Sequence, residues 1–180
     1  MRVLIAHGAS GKAASMQGHV DGLEARGIRA TAIDLPLRKA QLAVPVYRAR
    51  LGDQPEPPGQ LFVGGQSYGG RVASLLAADD GAAPAGLICF SYPLHRPGQP
   101  DWDVRSTHWP RISGPVLFLS GESDPFARLD LLREAIAERL PSARLVTYPK
   151  LGHSLRTVLD DALDQAAAFV SEVEAQGSAG

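Results

Sequence analysis

Six short apolar runs punctuate the chain, at residues 3–6, 28–34, 61–65, 86–91, 116–120 and 144–148. Each is nearly continuous in apolar character rather than alternating, as expected of parallel strands covered on both faces. Helical patterns separate them. Residues 13–26, 70–78 and 128–140 read as helices, and a last helix begins near Leu155 and ends by about Gln176. In the third of these, Leu129, Leu132, Ile136 and Leu140 fall on one stripe, with Arg133, Glu134, Glu138 and Arg139 mostly elsewhere. The final helix repeats the pattern with Val158, Ala162, Ala166, Phe169 and Val173. This alternation predicts an α/β fold: a doubly wound, mostly parallel sheet of about six strands with helices on both faces. Functional sites in such sheets form outside the carboxyl ends of the strands. The rhythm breaks twice. Residues 55–59 form a Pro-rich surface connection, and residues 93–115 mix Pro, Trp, His and Arg without a period.

Composition narrows the function classes. The 180 residues fit one domain, residues 1–180, with enough chain for a substantial core. A formal net charge of −1 supplies no field toward nucleic acid or an anionic membrane, and an aromatic share of 6% disfavours a base-stacking platform. Cys89 is the sole cysteine, which rules out an intramolecular disulfide and reads as a small core residue. Neither a signal-peptide core nor a run near the roughly 20 residues of a membrane span is present, so a cytoplasmic protein is expected.

The chemistry concentrates at strand ends. The run 61–65 leads into Gly65-Gln66-Ser67-Tyr68-Gly69 and then directly into a helical pattern. A G-x-S-x-G at a sharp strand-to-helix turn exposes a serine hydroxyl, at a backbone strain of roughly 1–3 kcal/mol. In a glycine-rich chain the motif alone is weak, because a structural or phosphate-binding turn is its ordinary alternative. A serine nucleophile needs a base, and the base an orienting carboxylate, at the same sheet edge. Asp124 follows the strand at 116–120, and His153 follows the strand at 144–148. Their order, Ser, Asp, His, fits a triad of Ser67, Asp124 and His153. Taken singly, Asp124 also suits a helix N-cap, Glu122 is a competing acid and His153 an ordinary loop histidine. The first strand ends in His7-Gly8-Ala9-Ser10-Gly11. The backbone N–H of Ala9, with that of Tyr68, is placed to receive an oxyanion, while His7 reads as a brace for this loop. No G-K-[ST] or G-x-G-x-x-G follows, which weakens a phosphate loop.

These motifs together resemble the α/β-hydrolase superfamily over nearly the whole chain, and look closest to its small, cap-less members related to dienelactone hydrolases. Residues 91–98 also resemble a Y-P-L-H-x-P-G stretch of a branch of hydrolases. The resemblance implies a minimal α/β-hydrolase fold that starts at the strand before the oxyanion loop. It implies a serine hydrolase that cleaves a small ester or thioester through an acyl-enzyme, with no cofactor and no metal. Dienelactone hydrolases proper use cysteine where this chain has Ser67, so their lactone substrate does not carry over. A non-catalytic interaction module on the same scaffold and an acyltransferase with the same triad are the alternatives. His95 either contacts substrate or holds its own loop. Trp102 and Trp109 either line an apolar acyl pocket or pack the loop at 93–115 onto the domain. Arg71 is expected to brace a loop through a salt bridge. Oligomeric state is open.

Overall fold

A computed structural model of the protein describes residues 1–37, 39–99 and 103–177, with only the backbone of 103 and 104. Six strands form one sheet: β1 (Arg2–Ala6), β2 (Arg29–Ile33), β3 (Leu61–Gln66), β4 (Gly86–Phe90), β5 (Val116–Gly121) and β6 (Arg144–Tyr148). Their order is β2-β1-β3-β4-β5-β6, and every neighbouring pair is parallel. The predicted runs thus all become strands, within a residue or two at each end. The strands are continuous in apolar character because the sheet is covered twice. Leu4, Val63, Leu87 and Phe118 face one core, with α2 (Ala40–Gly52), α3 (Tyr68–Ala77) and α5 (Leu129–Arg139). Val3, Phe62, Ile88 and Leu117 face the other, with α1 (Gln17–Glu24) and α6 (Leu159–Gly177). Adjacent residues of one strand therefore lie in different cores.

The register decides where chemistry can occur. Ala6 pairs with Gly65, Gln66 with Phe90, and Gly121 with Tyr148, so the carboxyl ends of the central strands line up along one edge. The chain winds outward from β1 to β2, then crosses back to β3 on its other side. The crevice between the ends of β1 and β3 is the switch point where such sheets hold their sites.

Two elements depart from the sequence reading. Helix α2 is absent from it, because Pro45 sits inside the helix and removes one backbone N–H. Pro45 and Gln41, whose carbonyl loses that partner, both face solvent, so water can take over the bond. The opposite face still buries Ala43, Tyr47 and Leu51 at helical spacing. The Tyr47 hydroxyl is fully buried against the β1–β3 ladder, accepting the Gly64 N–H at 2.9 Å and lying 2.7 Å from the Leu4 carbonyl. Burial pushes its phenol far above the ordinary tyrosine range. The region at 93–115, read as irregular, contains the short helix α4 (Asp103–Ser106) and a 3-10 turn at Trp109–Arg111.

Candidate active site

Ser67, the expected nucleophile, sits at the junction of β3 and α3. Ser67 adopts φ 49 and ψ −111, in the left-handed region that L residues avoid. The strain is held by the backbone on both sides. Ser67 N–H donates to the Phe90 carbonyl at 2.8 Å, and its carbonyl accepts the Arg71 N–H at 3.0 Å. The flanking glycines are obligatory. A Cβ on Gly65 would stand 2.6 Å from the Ala6 carbonyl oxygen, and one on Gly69 2.8 Å from that of His7.

The Ser67 hydroxyl meets His153. Its Oγ lies 2.8 Å from His153 Nε2, and His153 Nδ1 lies 2.8 Å from Asp124 Oδ2. A carboxylate only accepts, so Nδ1 carries the proton and Nε2 is left to accept from the serine. Asp124 is buried, and its other oxygen accepts the Phe126 N–H at 2.8 Å. That bond closes a local turn, and α5 begins only at Leu129, so Asp124 does not cap the helix. The Phe126 ring lies against the imidazole, 4.4 Å between centroids. The loops bearing acid and base are stitched together, Glu122 N–H to Tyr148 at 3.0 Å and Ser123 N–H to Leu151 at 2.8 Å. Glu122, the competing acid, accepts the Thr147 hydroxyl at 2.9 Å instead.

The loop after β1 faces the same crevice. His7 is buried, donating from Nδ1 to the Gly8 carbonyl at 2.8 Å and accepting the Leu35 N–H at Nε2 at 3.0 Å. With Nε2 occupied as an acceptor the ring is neutral, and Asp34, 3.8 Å away, is no ion-pair partner for it. His7 therefore braces the loop. Gly8 to Gly11 form a tight turn, Gly11 N–H to the Gly8 carbonyl at 3.0 Å, with Ala9 on the crevice wall beside Ser67. Tyr68 opens α3, so its N–H belongs to the positive end of that helix. Its hydroxyl donates to the Pro36 carbonyl at 2.7 Å. These parts open on a cleft of about 810 Å³, lined also by Ser15, Gly18 and His19 of the α1 region and by Phe90, Leu155 and Leu159.

His95, Trp109 and Arg71 fall outside the cleft. His95 is buried, its Nδ1 bonded to the Arg96 carbonyl at 2.8 Å and its Nε2 accepting the Arg128 N–H at 3.0 Å. Both ring nitrogens are spent on backbone, so the expectation of substrate contact is corrected: His95 ties the loop after β4 to the start of α5. Trp102 lies outside the described residues. Trp109 is fully buried against Tyr92 and Phe118 and packs its loop down. Arg71 forms no salt bridge among the described residues, and its buried Nε has no hydrogen-bond partner, against the expected loop brace. Sequence reasoning missed the α1 wall of the cleft. His19 sits on a helix rather than at a strand end, so its position gave no signal.

Among the solved structures that share the architecture are three hydrolytic enzymes or domains. A monoacylglycerol lipase of Paleococcus ferrophilus superposes with a TM-score of 0.74 at 14% identity, covering 91% of this chain and 94% of its own. An esterase of Pyrococcus furiosus gives 0.78 at 15% identity, covering 95% and 82%. A thioesterase domain from the curacin biosynthetic pathway gives 0.72 at 16% identity, covering 96% and 90%. At these identities the likeness concerns the fold. The family model described as an alpha/beta hydrolase domain matches residues 1–176, nearly the entire chain. With that match and a six-stranded parallel sheet flanked by helices on both faces, the chain belongs to the alpha/beta hydrolase domain family.

Proposed function

We propose that this family member is a serine hydrolase of small esters or thioesters that works through an acyl-enzyme. The observation that carries the reading is the relay from Ser67 Oγ to His153 Nε2 to Asp124, with 2.8 Å at each link, starting from a strained serine. In the proposed mechanism His153 Nε2 takes the Ser67 proton as Oγ attacks the acyl carbon. Asp124 keeps the imidazole in the required tautomer and stabilises its cation. The N–H groups of Ala9 and Tyr68 receive the oxyanion, each donor worth about 2.7–4 kcal/mol in the transition state. The imidazolium then returns its proton to the leaving alcohol or thiol. Water, deprotonated by His153, attacks the acyl-Ser67 ester, and the second tetrahedral intermediate collapses to release the acid and restore the serine.

The proposal extends to a single domain over residues 1–180, a kinship with the small dienelactone hydrolases with serine in place of cysteine, and a cytoplasmic location. In support of the last, no helix among the described residues is long and apolar enough to cross a membrane. The test is fluorophosphonate labelling together with 4-nitrophenyl acetate turnover. Wild type is expected to label at Ser67 and to turn over, and folded Ser67→Ala to do neither. Unlabelled, folded wild type would sink the reading in favour of a non-catalytic module.

A further inference from the structure

The cleft beside Ser67 has a one-sided chemistry. No aspartate or glutamate is among the described residues that line it. Apart from His153, its ionisable groups are Arg156 at the rim and His19 on the α1 wall. The acids that start α6 are committed elsewhere. Asp160 pairs with Arg26 at 2.6 Å, Asp164 with the same guanidinium at 2.6 Å, and Asp161 accepts the Tyr148 hydroxyl at 2.9 Å. Arg156 is exposed and has no carboxylate partner among the described residues, whereas Arg48 and Arg128 each hold one and Arg26 holds two. A cation without a paired carboxylate is thus among the residues that line the cleft.

His19 points the same way. The ring stands edge-on to Phe90, 5.0 Å between centroids, and makes no hydrogen bond to the protein among the described residues. The other four histidines each hold at least one. Burial lowers its pKa to about 4, so near neutral pH it is an uncharged ring with one N–H to give. A half-buried polar group on a cleft wall takes its partner from water or from a ligand.

Resting on the hydrolase reading, we infer that the cleft takes an ester or thioester carrying an anionic oxygen group, a carboxylate or phosphate, received by the Arg156 guanidinium with the His19 N–H as second donor. A guanidinium presents parallel N–H donors that match both groups. The anion can ride on either side of the scissile bond. Arg156 follows His153 by three residues, and the leaving group must approach His153 to be protonated.

The test uses two matched ester pairs at low ionic strength, where an exposed arginine is least screened. Butyryl 4-hydroxybenzoate against its methyl ester places the anion on the leaving group. The 4-nitrophenyl half-ester of glutarate against 4-nitrophenyl valerate places it on the acyl group. At least one anionic member is expected to exceed its neutral mate by about tenfold in kcat/KM. Arg156→Gln is expected to remove most of that ratio, Arg156→Lys to keep part of it, and His19→Phe to cut it a few-fold. Turnover without an anionic preference, or a preference that survives Arg156→Gln, overturns the inference and leaves the hydrolase reading intact. Calorimetric binding of the same esters to Ser67→Ala separates the converse case. Preferential binding of an anionic ester that Arg156→Gln abolishes supports the inference even if wild type turns nothing over, and no such preference overturns it.

Discussion

The turns after β3 and β4 begin alike and end differently. Ser67 has φ 49 and Ser91 has φ 52, and both border the same cleft. Each N–H is anchored to the next strand, Ser67 to Phe90 and Ser91 to Leu119, both at 2.8 Å. The surroundings diverge one residue later. Behind Ser67 a helix starts at once, and an imidazole reaches its hydroxyl. Behind Ser91 the chain enters Tyr92-Pro93, and the nearest histidine in sequence, His95, spends both ring nitrogens on backbone. Backbone strain alone therefore does not mark a nucleophile. A helix N-terminus and a base within hydrogen-bond distance make the difference.

Removing the hydroxyl at each site is the sharpest way to break the comparison. Ser67→Ala should cost about 10⁶ in kcat, read with a chromogenic ester on protein of unchanged circular dichroism. Asp124→Asn should cost about 10⁴ in kcat, because an amide can hold His153 in the wrong tautomer while leaving the fold in place. A loss under tenfold would detach Asp124 from the relay.

Next in size is the backbone effect. Gly65→Ala should destabilise by about 3 kcal/mol, since its Cβ would meet the Ala6 carbonyl at 2.6 Å within a closely packed turn. A urea midpoint equal to wild type would show that the turn relaxes freely.

The region after β4 has its own anchor in His108, whose Nε2 lies 2.8 Å from the Ser74 hydroxyl of α3. Burial first, then the nearby Arg71 and Arg111 charges, lower its pKa from 6.5 to about 4. The folded state thus favours the neutral ring, and the unfolded chain binds the proton more readily. Its stabilising contribution is complete above pH 6.5 and is lost as pH falls from 6.5 through about 4. Urea midpoints across that window should decline, and His108→Gln should flatten part of the slope, His19 contributing in the same direction. A slope unchanged in His108→Gln would remove this anchor. The smallest effect is expected at the second strained serine: Ser91→Ala should change kcat/KM less than threefold.

Much of this arrangement was legible in the residue order. The six strands announced themselves because both faces of the sheet are buried, which leaves apolar runs without alternation. Gly65 and Gly69, flanking Ser67, announced the elbow because a side chain at either would collide with backbone in so tight a bend. Helix α2 was illegible because Pro45 contradicts local propensity, and its place was decided by tertiary burial of Tyr47. The sequence left His95 either facing substrate, because a strand end is the expected place for chemistry, or holding its own loop, and its ring turns into the loop. Its two partners, Arg96 and Arg128, include one 33 residues away that no local pattern reveals.

By itself the sequence determined the element types, their alternation and the side chains delivered to one sheet edge, because periodicity and turn chemistry act over a few neighbours. Only the tertiary structure decided between Asp124 and Glu122 and gave each histidine a separate task. It also left Arg156, which lines the cleft, without a carboxylate partner among the described residues. Those choices turn on hydrogen-bond distances of about 3 Å between segments remote in the chain, which strand register and core packing set together.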